Sequence, residues 1–198
     1  MVAAIQQANP LWEKGQTLIP EGVIDHALQV ATGDRHTVVL SAKSTKNNLR
    51  FFGDTSTNFI PSEISVEYLA SNPLQMDAEG SHTVVLAQGI SNGLKKAYSL
   101  GIGVQQPPNG MSGVKQVTAG KTHDAAIVAT SRADWVGTPL QNCVVAWGDN
   151  SQGQCLGTDE LGSQITFPST NGATPGTQIS MANYAQINGV PVSGVKEI

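Results

Sequence analysis

The chain has 198 residues, a formal net charge of −4 and only 13% charged residues, against a usual value of about 25%. It carries no basic field for phosphate backbones and no stretch near the roughly 20 apolar residues of a membrane span, which argues against nucleic-acid binding and against a spanning helix. Gly, Ser, Thr, Asn and Gln are abundant, a composition closer to extracellular or virion β-proteins than to cytosolic enzymes.

In chain order, the start from Met1 to Gln7 shows no basic segment followed by an apolar run, so no signal peptide is read there. Residues 1–26 read as a lead-in and a partial unit, with Ile19-Pro20 as its tail and His26 as an exposed loop residue. A phrase is then repeated three times. Gln29-Val30 leads to His36-Thr37-Val38-Val39-Leu40, Gln75-Met76 leads to His82-Thr83-Val84-Val85-Leu86, and Gln116-Val117 leads to His123-Asp124-Ala125-Ala126-Ile127. In each copy the histidine stands six residues after the apolar Val or Met and opens a β-type apolar run. The second half of each unit is a strand ended by Gly: Leu49 to Gly53, Ala97 to Gly101 and Val144 to Gly148. Strand, turn, strand, polar loop, strand is the grammar of a β-meander, and a unit copied at near-fixed length implies stacked units sharing a core. The units read as 27–73, 74–113 and 114–194. The last carries long insertions that include a candidate degenerate extra unit at 158–192, and residues 195–198 begin a further repeat.

Within this frame the repeated residues explain themselves structurally. Gly33, Gly53, Gly101, Gly120 and Gly148 are expected at sharp turns with positive φ. His36, His82 and His123 are read as imidazoles bonding the blade backbone rather than as metal ligands, because no Cys or carboxylate shares their spacing. Lys95-Lys96 is expected at a solvated hairpin tip. Cys143 and Cys155 are twelve residues apart; two buried free thiols are favoured over a bridge, and both readings stay open. Asp149 to Gly153 has the look of the start of a calcium loop but lacks the glutamate at its twelfth position. With no nucleophile elbow and no phosphate-cradling loop, catalysis is not expected, and neither is a cofactor.

Val117-Thr118-Ala119-Gly120-Lys121-Thr122-His123 together with Ala146-Trp147-Gly148-Asp149-Asn150-Ser151-Gln152-Gly153-Gln154-Cys155-Leu156-Gly157 resembles one repeat of the regulator of chromosome condensation family. The first two copies match mainly in the Gly/His/Thr half, with Phe52-Gly53 and Leu100-Gly101 in place of Trp-Gly. The resemblance spans residues 15–198 and implies an all-β fold, a β-propeller of four-stranded blades. Three to four blades would be present here, as part of a larger or multi-chain ring, because closed propellers need four to eight. The ultraviolet-photoreceptor branch of the family carries Trp before the repeat His, where this chain has Asp34, Gly80 and Lys121. Gly15-Gln16-Thr17-Leu18-Ile19-Pro20 is similar to a short stretch of secreted hydrolase-inhibiting propellers.

Such a fold serves many functions, so function must come from what departs from the repeat. The insertion from Thr130 to Gln141 holds Trp135 with Arg132 and Asp134, the residue types that anchor protein interfaces. The expectation is a non-enzymatic scaffold that binds protein partners through blade-tip loops. It would act as a structural or surface component of an extracellular or viral assembly, as a homo-oligomer or in a larger assembly. A guanine-nucleotide exchange regulator of a small GTPase and a secreted hydrolase inhibitor are the alternatives.

Overall fold

The computed structural model describes residues 26–42, 48–54, 71–89, 92–101, 104–108, 111, 113–130, 141–155, 185–187, 190–196 and 198. Among these residues the chain is all-β. Three antiparallel sheets follow one another: β1 (Ala27–Thr32), β2 (His36–Ser41) and β3 (Asn48–Gly53); β4 (Ser71–Glu79), β5 (His82–Gly89) and β6 (Lys95–Leu100); β7 (Val114–Ala119), β8 (His123–Thr130) and β9 (Gln141–Gly148). Each sheet is a meander in sequence order. A two-stranded ladder of β10 (Gln186–Ile187) and β11 (Val190–Pro191) completes the elements. The backbone around it runs along the free edge of β9: Val144 N donates to Val192 O at 3.1 Å and Ala185 N donates to Val144 O at 3.1 Å.

The apolar runs are continuous because the middle sheet is covered on both faces. Along β5, Val84 and Leu86 pack toward the third sheet with Val114, Val117, Ala126, Val145 and Trp147. Val85 and Ala87 alternate to the other face and pack against Val38 and Leu40 of the first sheet. A period-2 chain with both faces buried needs apolar residues at every position, hence Val-Val-Leu rather than an alternation. Each such side chain contributes about 1.5–3 kcal/mol on burial. Consecutive sheets stacked face to face in this way are the blades of a partial β-propeller.

The first strands share a second device. Register shifts at Ala27/Gln29 in β1, at Pro73/Gln75 in β4 and at Val114/Gln116 in β7 mark the same bulge in all three units. Pro73, paired with Ala87 just before the bulge that skips Leu74, is tolerated inside β4 because β4 is the edge strand of its sheet. Consequently the boundary drawn between 73 and 74 falls inside β4.

Two glycine expectations need correction. Gly53 and Gly148, facing His36 and His123 across the sheet, do have positive φ, 104° and 109°. Gly101, just past β6, has φ 156°. Gly33 and Gly120 do not have positive φ; they are glycine because the histidine ring three residues later lies on them. A Cβ on Gly33 would collide with His36 Cε1 and stand 2.7 Å from the carbonyl of Gly80, and one on Gly120 would stand 2.7 Å from His123 Cε1. In the middle unit the turn glycine moves one place, to Gly80, with φ 55°. The lysine pair also shifts: Lys95 and Lys96 begin β6, and the hairpin tip is Asn92-Gly93-Leu94.

Cys143 and Cys155 are both free and buried, in separate clusters: Cys143 in the core between the second and third sheets, Cys155 against Ala146. Burial raises both thiols, Cys155 to about 12, with Asp149 and Asp124 adding to it.

Two outcomes are expected. Gly33→Ala should cost about 1–3 kcal/mol through overpacking against His36 and Gly80, read as a lowered urea midpoint with an unchanged slope. Iodoacetamide at pH 8 should leave both cysteines unmodified in the native protein and add two adducts by mass after denaturation, since the thiolate is the nucleophile and neither is exposed.

Candidate functional site

Sheets held only by apolar contact could slide, because hydrophobic attraction has no direction. At each junction this chain adds polar bonds from repeat-equivalent residues. The bulge turns Gln29 toward the next sheet, where its Nε2 donates to Met76 O at 2.6 Å and its Oε1 accepts from Met76 N at 3.1 Å. Gln75 Oε1 accepts from Val117 N at 3.1 Å. Gln116 Nε2 donates to Ile198 O at 2.6 Å, and Ile198 N donates back at 3.3 Å. These glutamines open the repeated phrase, each seven residues before a repeat histidine, but no role between units was expected of them. That fixed spacing was the available signal.

The histidines supply a second set of bonds, but not to the backbone. His36 Nε2 lies 2.9 Å from Thr83 Oγ1, and His82 Nε2 lies 2.8 Å from Asp124 Oδ1. In both cases the partner is the residue that follows the next unit's histidine. The expected backbone bond fails because the ring is carried past its own sheet into the next, with Gly33 beneath it in the first unit. His123 has the same local geometry over Gly120, is half-buried, and lines a cleft of about 370 Å³ with Ser81, His82, Lys121, Thr122, Asp124 and Asp149.

The junction between the second and third sheets is the more polar of the two. Ser99 Oγ donates to Asp124 Oδ2 at 2.6 Å, and Trp147 Nε1 donates to Ser99 Oγ at 2.9 Å. His82, Ser99, Asp124 and Trp147 are all buried, so a carboxylate is held in the core by two direct partners, His82 and Ser99, with Trp147 bonded to Ser99 behind them. Asp77 adds a further tie, its Oδ2 accepting from Thr118 Oγ1 at 2.9 Å and Ala119 N at 3.0 Å. Outside the core, Asp149 accepts from Ser151 N at 2.9 Å and Ser151 Oγ at 3.2 Å, which holds its carboxyl below the usual range. Asn150 Oδ1 accepts from Cys155 N at 2.9 Å. The segment that looked like a calcium loop is therefore a turn whose oxygens are engaged within the chain. Among the described residues no group of three or more His, Cys, Asp or Glu is placed to hold a metal ion. Trp135, Arg132 and Asp134 lie outside the described residues.

No protein-family model and no curated protein matches the chain. Among solved structures it is similar to the CRINKLY WD40 ectodomain of the Arabidopsis thaliana receptor kinase ACR4, at 19% identity over 62% of this chain and 37% of that one, with a TM-score of 0.40. It is also similar to the entire ectodomain of the Physcomitrella patens receptor kinase CR4, at 15% identity over 63% of this chain and 30% of that one, with a TM-score of 0.42. The chain thus spans about a third of the length of each. No helix among the described residues is long and apolar enough to cross a membrane.

Removing a buried carboxylate that two buried groups bond leaves both of them unmet, which is costlier than removing one neutral bond. Asp124→Ala should destabilise the protein by about 3–5 kcal/mol, and Thr83→Val by about 1–3 kcal/mol. Urea unfolding followed by tryptophan fluorescence and far-ultraviolet circular dichroism measures both. Equal losses would show that the polar network carries no special weight.

Proposed function

We propose that this chain is a non-enzymatic β-propeller scaffold of the regulator of chromosome condensation type, and that it works by binding protein partners. The observation that carries this reading is the outer face of the first sheet. Met76 and Val117 occupy equivalent positions in the second and third units and are 0% and 1% exposed, each covered by the preceding sheet. Their counterpart Val30 is 62% exposed, next to Leu28 at 58%. Large apolar side chains standing on the face of a rigid sheet are suited to a protein surface rather than to a small polar ligand. The polar bonds between sheets support the same reading, because a scaffold whose sheets cannot slide presents its faces and loops at fixed spacing.

The blade-tip insertion bearing Trp135, Arg132 and Asp134 is proposed as a second contact region, with Trp135 as its aromatic anchor. The low charged fraction supports a place in an extracellular or virion assembly. Native mass spectrometry on protein isolated from its source tests the proposal by reading bound chains and their stoichiometry together. A protein partner at fixed stoichiometry is expected. It should be lost in the Val30→Glu, Leu28→Glu double variant, whose exposed positions leave the core untouched. A partner retained by that variant and lost on Trp135→Ala would move the contact to the loops, and a chain isolated without any partner would overturn the reading.

A further inference from the structure

The two histidine junctions share one plan and differ most in the partner each histidine meets. His82 meets a carboxylate, which is itself bonded to Ser99; His36 meets only the hydroxyl of Thr83. The positions that supply Asp124 and Trp147 to the second junction supply Thr83 and Leu100 to the first, as the cross-strand pairs Asp124 with Trp147 and Thr83 with Leu100 show. His36 is fully buried, and its Nδ1 has no hydrogen-bond partner among the described residues. That nitrogen faces Gly33, whose Cβ position would be 2.7 Å away. A neutral ring fits this setting, with Nε2–H directed at Thr83 and a bare Nδ1. A charged ring does not, because its second N–H would have no acceptor.

Three ionisable groups bear on the ring. Asp34 in its own turn and Asp54 just past β3 favour the cation, and His82 on β5 opposes it. Burial is the largest influence, His82 adds to it, and the two together outweigh the aspartates and hold His36 below its ordinary value of 6.5. The sign of the pH dependence follows. An unfolded or undocked His36 takes up a proton from about pH 6.5 downward, while the docked ring does not until lower pH. Stability of the docked state is therefore intact above that value and falls as pH drops from it toward the depressed native one. Each unit of that separation favours the open state about tenfold.

We propose that the junction between the first and second sheets is an acid-labile joint, which parts when His36 takes a proton, while the junction between the second and third sheets stays closed. Acid thus opens the propeller at one defined seam and exposes the apolar faces of β2 and β5, where Val38, Leu40, Val85 and Ala87 meet at neutral pH.

Hydrogen–deuterium exchange with mass spectrometry, at pH 7.5 and 5.0 with each peptide normalised to its intrinsic exchange rate, tests this on the whole protein. Peptides of β1, β2 and β3 are expected to lose protection by about tenfold or more at pH 5.0, and those of β7, β8 and β9 to keep theirs. Thr83→Asp gives His36 the kind of partner that His82 already has, and should cancel the loss. His36→Gln keeps an amide donor without a titrating group and should cancel it independently, so the test survives if one variant does not fold. Uniform loss across all three sheets, unchanged protection in the first sheet at pH 5.0, or an acid response that persists in both variants would overturn the proposal.

Discussion

The structure depends on the sharing of apolar faces between neighbouring sheets. A three-stranded meander with Val-Val-Leu on its middle strand cannot shield both faces by itself, so each sheet is a stable object only when its neighbours are in place. Packing of this kind fixes proximity but not position. Position comes from the glutamine on the first strand and the histidine at the start of the second, which hold the next sheet at two points. The repeated bulge makes this arrangement workable: it turns the glutamine out of its own ladder without sacrificing the strand that follows.

The two junctions weight their polar and apolar parts differently. Between the first and second sheets, neutral Thr83 and apolar Leu100 and Tyr98 dominate. Between the second and third, a buried carboxylate is bonded by His82 and Ser99, and Ser99 is bonded in turn by Trp147. A buried carboxylate is weak evidence for stability, since its desolvation offsets much of what its bonds contribute. Its stronger effect is on specificity, because a sheet that places anything other than an acceptor opposite His82 leaves a polar ring unmet in the core. Read in this way, the departure from strict repetition at Thr83 and Asp124 distinguishes sheets that share one backbone plan and so constrains their order.

Much of the fold was legible because repetition amplifies weak signals. A single His-Thr-Val-Val-Leu says little, but three copies at matched offsets from a Gln and a following Gly-ended strand specify meanders that stack. What was not legible was the direction of the contacts. The histidine's partner lies 47 or 42 residues away and changes identity from Thr to Asp, so no local pattern announces it. The glutamines lay in plain view but carried no chemistry until the bulge showed where they pointed. Glycine was read through the commonest reason for it, positive φ, whereas Gly33 and Gly120 answer a different demand, room for a ring.

The middle unit shows that these demands can be separated. Where the outer units place Gly33 and Gly120, it has the exposed Glu79, paired in register with His82, and its glycine sits one residue later in the turn. Gly80 is needed there because the turns of successive units touch. Asp34 N donates to Gly80 O at 2.7 Å, and a Cβ on Gly80 would lie 2.8 Å from Lys121 O. A turn caught between two others must be small and must adopt φ of 55°, and glycine alone meets both requirements without strain. The first unit has its next sheet on one side and bears Val30 and Leu28 exposed on the other, so its turn need only be small toward the sheet that follows. Gly80 thus answers to the turns before and after it, at Asp34 and Lys121. The placement of a residue within a repeat can therefore follow from the repeat's place in the array as well as from its own fold.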